Sequence, residues 1–451
     1  MDLDGLDSQK QSEIDDATQV IKSPIDVPSI LMEITKNEEQ DDPFYVCDIS
    51  DIIKRYEEWK AAMPRVATYY AVKCNDSRIV LEVLAALGIG FDCASKEEIR
   101  KVLSLGVQPD RIIFANPTKK ISHLKFAAET AVTLMTFDSE VELQKIKKVY
   151  PSARLVIRIK YDDLSARYVL GQKYGCDHVI EAPGLLRVAA SLGLNVVGVC
   201  FHIGSDSKDP LVFSKAIAAA RHVFDVAANL GFKFKLLDIG GGYPGDKKKS
   251  IKEIGNIVNS ALEKYFPDLS VEVISEPGRY YVNTAFTLAT SINSVREAVQ
   301  TDPETKDQTK VRMYYVDNSI YGALISIFCD EVYTPRPLEV DTTSPLRPSI
   351  VWGSTCDTCD KITKDVVLLP EMNISEWIFF EEAGAYTLSI SCEFNGFATP
   401  KIHSVVDEEG WLKLTSQVPY PLSRDKFVIG NKPEYFRIGL TGPNKFKTNY
   451  F

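Results

Sequence analysis

No stretch of the chain reaches the roughly 18 consecutive apolar residues that a membrane helix needs, which argues against a helical membrane protein. The opening MDLDGLDSQKQSEIDD has neither the basic stretch nor the apolar centre of a secretory signal, so no export and a cytoplasmic location are expected. A basic excess is also missing. Against 52 Lys and Arg stand 62 Asp and Glu, a net charge of −10, which argues against nucleic acid or a membrane surface as the main partner. The nine cysteines show no disulfide spacing, in keeping with a reducing compartment. Cys356 and Cys359 form a CxxC, but no second CxxC or histidine pair accompanies it, so no metal is expected. The 25 Gly and 23 Pro are scattered, which removes low-complexity readings. At 45% hydrophobic and 25% charged, the 451 residues have an ordinary globular composition.

The first 40-odd residues are polar and weakly patterned, with one strand-like run at Ser29–Ile34. From Phe44 a rhythm sets in. Short β-branched or aromatic runs (VATYYAVK, IGFDCA, RIIFAN, TLMTFD, RLVIRIK, NVVGVCFHIG, KLLDIGGG, VEVISEPGR) alternate with helix-period segments such as SKEEIRKVLSLG. Strand and helix in alternation predict a parallel sheet covered by helices, and eight strands in about 240 residues suit a closed (β/α)8 TIM-type barrel. A doubly wound open sheet is the competitor. The barrel is favoured because Lys73, Asp92, Asn116, Asp138, Arg158, His202, Gly240–Gly242 and Glu276–Arg279 all fall at the C-terminal ends of their runs, which a barrel gathers at one mouth. After Arg279 the runs VRMYYVD, SIVWG, WIFFEEA and YTLSISCEF, with Pro/Asp/Thr-rich connections, predict a separate β domain nearly devoid of helix. The expected division is 1–43 as an N-terminal segment joining the β domain, 44–284 as the barrel, and 285–451 as the β domain with a terminal tail.

Lys73 ends the first run, where its ammonium would lie inside the mouth. A partly desolvated lysine of lowered pKa is a group that condenses with an aldehyde, although most strand-end lysines simply reach for solvent. HIGS (His202–Ser205) and GGGYPG (Gly240–Gly245) follow runs six and seven. Consecutive glycines let backbone N–H groups approach an anion, and barrels bind phosphate beyond strands seven and eight; the plain alternative is a tight turn. EPGR then adds Glu276 and Arg279. A lysine for an aldehyde, glycines and an arginine for a phosphate, and a carboxylate for a ring nitrogen converge on pyridoxal 5′-phosphate (PLP).

With YAVKCN, FDCAS, FHIGS, DIGGGYPG, EPGRYY, STCDTCD and GAYT in order between Phe44 and His403, the chain resembles the fold-type III PLP decarboxylases, and among them the eukaryotic ornithine decarboxylases. The resemblance implies an alanine-racemase-type barrel with a β domain, and a homodimer with two active sites at the subunit interface. It implies that Lys73 condenses with the cofactor, that Glu276 keeps the pyridine nitrogen protonated and that His202 stacks on the ring. Ser205, Gly240, Gly241, Gly242, Arg279 and Tyr386 would bind the phosphate end, and Asp92 and Arg158 would line the Lys73 side. Cys356 of the other subunit would direct protonation at Cα. Asp330 and Asp357, with Tyr321 and Phe394, would receive the substrate, two carboxylates suiting the distal ammonium of a diamino acid. Lys173 and Asp360 match an interface ion pair. Thr118–Leu143, with Lys119, Lys120 and Lys125, is similar to the segment through which animal members bind antizyme; a solvated basic helix face is the alternative.

Each role has a plain alternative: Asp92–Arg158 as a structural ion pair, His202 as a core histidine, Cys356 as a buried thiol. The sequence also departs from the family pattern at Asp206, where glycine is usual, at Cys329, where an aromatic residue is usual, and at Ser354, Thr358 and Cys359 around Cys356. Two other functions therefore stand beside ornithine decarboxylation: decarboxylation of lysine or another amino acid, and an inactive protein of antizyme-inhibitor type. The tail from Ser423 has neither an acidic nor a Pro/Ser/Thr-rich composition.

Overall fold

The computed structural model describes residues 18–22, 24–37, 40–161, 171–205, 209–301, 306, 308–339, 344–416 and the backbone of 427–429. All eight runs are strands: β1 (Val66–Ala71), β2 (Gly90–Cys93), β3 (Ile112–Phe114), β4 (Leu134–Phe137), β5 (Arg154–Arg158), β6 (Asn195–Cys200), β7 (Leu236–Asp238) and β8 (Glu272–Ser275). They pair in parallel and in chain order, and β8 closes onto β1 with Val273 beside Val66. The short apolar runs are buried on both faces because helices cover the outside of the sheet and its closure packs side chains inside. Ile113, Leu134, Val156, Cys200, Leu236 and Ile274, one from each of six strands, form a core cluster of their own. The larger core packs around it. Chain punctuation matches the pattern: the Ser95 side chain accepts the Glu98 N–H at 3.2 Å to start Lys96–Ser104, and Asp209 accepts the Leu211 N–H at 3.0 Å before Leu211–Asn229.

The second body is a mixed sheet. In spatial order its strands are Val367–Leu369, Arg347–Trp352, Gln308–Val316, Phe286–Thr301, Phe44–Asp48, Lys401–Asp407, Thr18–Ile21 and Phe427–Ile429, with Trp377–Phe380 also paired to Phe286–Thr301. Phe44–Asp48 therefore does not open the barrel, as expected from the rhythm. It lies between Phe286–Thr301 and Lys401–Asp407, and the barrel begins with the helix Ile49–Ala62. Its β-branched run looks the same whichever sheet receives it. Ser29–Ile34 is not a strand but part of the helix Val27–Thr35, with proline in its first turn and Leu31 buried with Phe44 and Val46. YTLSISCEF is no strand either; a single helical turn, Leu388–Ile390, lies within it and another, Phe394–Gly396, starts at its last residue. A helix, Glu408–Ser416, also stands where none was expected. Among the described residues no helix is long and apolar enough to cross a membrane.

Lys119 is likewise corrected. Its side chain is 0% exposed, donates to the Thr136 carbonyl at 2.6 Å and the Asn116 carbonyl at 3.1 Å, and pairs with buried Glu142 at 3.0 Å. Burial pulls its ammonium down to about 8 despite Glu142. Of the three basic residues expected on this surface, only Lys120 and Lys125 are exposed. Lys119→Met should cost about 3 kcal/mol, the low end for a broken buried pair because Lys145 still reaches Glu142. A denaturant midpoint unchanged at constant slope would contradict that role.

Candidate active site

The turn after β1, Val72–Cys74, carries Lys73. Its Nζ lies 2.6 Å from Oδ2 of Asp92 on β2; the lysine side chain is 45% exposed and the aspartate 1%. The turn is tied to the second domain: the Tyr386 N–H donates to the Cys74 carbonyl at 2.8 Å, and Ser389 Oγ to the carbonyls of Lys73 and Cys74 at 2.9 and 3.1 Å. Desolvation favours the neutral amine, but Asp92, with Tyr386 and Glu276, outweighs it and holds the ammonium above the ordinary lysine range. The expectation of a lowered pKa is overturned by that 2.6 Å contact.

His202 follows β6. Burial, together with Arg158 and Lys73, pushes its imidazole well below the usual value. Nδ1 accepts the Gly204 N–H at 3.1 Å, which leaves the proton on Nε2. Facing it is the Gly240–Gly242 loop after β7. Gly240 and Gly242 have φ of +63° and +114°, and a Cβ at Gly240 would stand 2.0 Å from the Phe201 carbonyl. Arg158, at the end of β5, stacks on Tyr174 at 5.2 Å, so Asp92–Arg158 is not the ion pair considered above. Ser205 is described; its neighbour Asp206 lies outside the described residues.

Beyond β8, Glu276 is coupled to Asp238, the last residue of β7 and one that sequence reasoning passed over as part of the glycine motif. Asp238 Oδ2 and Glu276 Oε1 are buried and no N–H or hydroxyl donates to either; two acids so close and so dry keep a proton between them more cheaply than two charges. Burial first, then mutual repulsion, pushes Glu276 far up, and burial pushes Asp238 up to about 7. Arg279 lies 5.4 Å from the Tyr386 ring, and its Nη1 pairs with Glu331 at 2.6 Å, a second residue that sequence reasoning missed.

Tyr321, Asp357, Phe394 and Cys356 form a separate group on the second domain. The Tyr321 hydroxyl donates to Asp357, its ring is 5.0 Å from Phe394, and the Cys356 N–H donates to Asn395 at 3.1 Å. Cys356 is exposed, not a buried thiol, and Cys359 N–H caps Asp357 at 3.0 Å. Asp330 stands apart from Asp357: it is 82% exposed, has φ +62° and faces Lys364 at 3.4 Å. Asp360 is 1% exposed and accepts from Ile320 N–H, Thr355 N–H and Thr355 Oγ1 within its own chain, so its carboxylate is already engaged without Lys173. The Lys73 group thus sits on the barrel with Tyr386, Ser389 and Glu331 of the second domain packed against it, and the Asp357 group stands apart from it on the second domain.

Residues 49–283 match the family described as pyridoxal-dependent decarboxylase, pyridoxal binding domain, a span that begins at the helix where the barrel begins. The chain belongs to this family. It is 42% identical to ornithine decarboxylase of Rattus norvegicus over 417 residues, 89% of each chain. It is 43% identical to antizyme inhibitor 2 of Xenopus laevis over 390 residues, 85% of each. Among solved structures, the arginine decarboxylase of Paramecium bursaria Chlorella virus bound to agmatine superposes with a TM-score of 0.78 at 34% identity, over 84% of this chain and 100% of that one.

The shared proton of Asp238 and Glu276 makes a prediction about the cofactor-free protein. Between about pH 4, where free carboxyls ionise, and the folded value of about 7, the native chain holds protons that the unfolded chain has released, so stability falls as pH rises through this window. Asp238→Asn should flatten that fall in thermal unfolding. Equal pH dependence in both proteins would remove the shared-proton account.

Proposed function

We propose that the protein is a PLP-dependent decarboxylase that converts L-ornithine to putrescine and CO2 in polyamine biosynthesis, working in the cytoplasm as a homodimer. The observation that carries the reading is Lys73 at the barrel mouth, paired with Asp92 and ringed by buried polar groups with open valences: Asp92 Oδ1, Glu276 Oε1 and Arg279 Nε. Buried polar atoms without partners are costly unless a ligand supplies them. A pyridine nitrogen suits Glu276, a phosphate suits Arg279 and the glycine loop, and an aldehyde suits Lys73. Ornithine is supported by the relatives that carry this activity in their names, the rat protein among them.

When bound, the cofactor supplies an electron sink for the bonding pair released as CO2 leaves. The chain's own residues do the rest. Asp92 anchors and orients the Lys73 amine, which must lose a proton before it can attack a carbonyl. Glu276, which shares a proton with Asp238, would hold that proton at the ring nitrogen of a bound cofactor. Neutral His202 offers an uncharged face for a ring, so it does not oppose that positive charge. Tyr386 is half-buried, and desolvation raises its phenol to about 12, so it remains a hydroxyl donor at neutral pH.

Two sites shared across a dimer account for the second group. Phe328, Ile390, Phe394 and Phe397 are 55%, 44%, 43% and 37% exposed, an apolar set that a second subunit would cover. Cys356 and Asp357 would then enter the partner's mouth, Cys356 to deliver a proton to Cα and Asp357, with Asp330, to hold the distal ammonium. Exposed Lys120 and Lys125, with Ile121 at 54%, are the surface we assign to an antizyme-type regulator. A purely regulatory role like that of the Xenopus relative is disfavoured because Lys73, Asp92, Arg158, Glu276, Arg279, Cys356 and Tyr386 are all present.

Amine products from ornithine, lysine, arginine and leucine, measured on PLP-loaded protein, should show putrescine as the main product. Lys73→Ala should remove the visible absorbance of the bound cofactor and nearly all activity; full activity in that variant, or no amine from wild type, would end the reading. Cys356→Ala should keep PLP but divert most of the flux from amine formation to transamination. Mixing the two variants should restore up to about a quarter of activity, since half the dimers are mixed and each has one intact site. No recovery from verified mixed dimers would argue against shared sites.

A further inference from the structure

Arg279 already has an anionic partner. Glu331 Oε1 lies 2.6 Å from its Nη1, with the two side chains only 14% and 17% exposed. Such a contact excludes most of the water that weakens surface pairs. Arg279 Nε, on another edge of the guanidinium, is buried and unpartnered, and the Tyr386 ring covers the group at 5.4 Å. One edge of the cation is therefore neutralised and another is open. Carboxylate and phosphate compete for the same planar donors, because each presents two oxygens to the guanidinium fork.

Glu331 is presented by a tight turn. It follows the helical turn Ile325–Cys329 and Asp330, which has a positive φ of +62°; its N–H donates to the Ser326 carbonyl at 3.1 Å, and the Asp330 N–H donates to Ile327 at 3.0 Å. Tyr333, just beyond, is fixed to Ser326 at 2.7 Å. The backbone of the turn thus delivers the glutamate side chain to the arginine. A phosphate that reaches Arg279 gains one cation but meets a negative charge already in place, and like charges at this separation oppose each other until one moves aside.

We infer that Glu331 is an internal rival of the cofactor's phosphate: it occupies Arg279 in the cofactor-free chain, yields when the phosphate docks, and makes PLP affinity weaker than the arginine and glycine loop alone would give. This rests on the PLP reading above. It assigns Glu331 no part in the chemistry; it makes that residue the determinant of how fully the enzyme is loaded at a given cofactor concentration.

The test uses the full-length, cofactor-free protein titrated with PLP and, separately, with pyridoxal, which lacks the phosphate. Visible absorbance and tryptophan fluorescence report binding. Glu331→Gln should bind PLP about tenfold more tightly than wild type, while Glu331→Asp stays close to wild type and pyridoxal binds all three alike. Inorganic phosphate should raise the melting temperature of cofactor-free Glu331→Gln more than that of wild type. Glu331→Ala removes the same charge and serves if the glutamine variant folds poorly. PLP affinity unchanged or weakened in the charge-removing variants overturns the inference, because Glu331 would then be holding Arg279 in place. An equal gain for pyridoxal overturns it too, since the effect would not lie at the phosphate. If wild type and variants alike bind neither compound, the cofactor reading itself falls, and this inference with it.

Discussion

The barrel mouth is governed by charge balance in a confined, poorly hydrated space. Closure of the eight strands brings the acids Asp92, Asp238 and Glu276, from β2, β7 and just beyond β8, together with the cations of Lys73 and Arg158. Three carboxylates and two cations cannot all be charged there at low cost. The structure resolves the excess by pairing Asp92 with Lys73 and by leaving a proton between Asp238 and Glu276. The neutral imidazole of His202 follows from the same field, since Arg158 and Lys73 oppose another positive charge beside them. The properties that suit the mouth to a cationic ring and an aldehyde are thus set by how many acids share one pocket.

Much of this was legible in the sequence, because parallel strands buried on both faces leave continuous apolar runs that need no partner to be recognised. VATYYAVK through VEVISEPGR became β1 to β8, and polar residues at the run ends became the mouth. Legibility failed where the meaning of a residue depends on what packs against it. Phe44–Asp48 has the same composition as a barrel strand and went to the other sheet. Lys119 read as a surface cation because its paired acid, Glu142, lies 23 positions away. The lowered pKa expected of Lys73 failed for a similar reason, since burial was visible in the pattern but the contact with Asp92 was not.

Asp238 and Glu331 were missed for different reasons. Asp238 stood inside a motif whose glycines drew the attention, and its coupling to Glu276 needs β7 and β8 side by side. Glu331 lies in the second domain, 52 residues after the arginine it touches, and no periodicity links them. The second domain is less readable throughout, since its strands come from both ends of the chain and candidate residues such as Phe394 sit on single helical turns.

The clasp on the Lys73 turn has a consequence for how such molecules can change over time. Two carbonyls of that turn are satisfied by Tyr386 and Ser389, donors from a segment of the second domain more than 300 positions downstream. An excised barrel would keep its lysine but lose the grip that aims it. The two folds are thus bound to be inherited together: recombination that swapped one without the other would sever the lysine's support, and lineages can vary the outward-facing loops freely only while that seam stays intact.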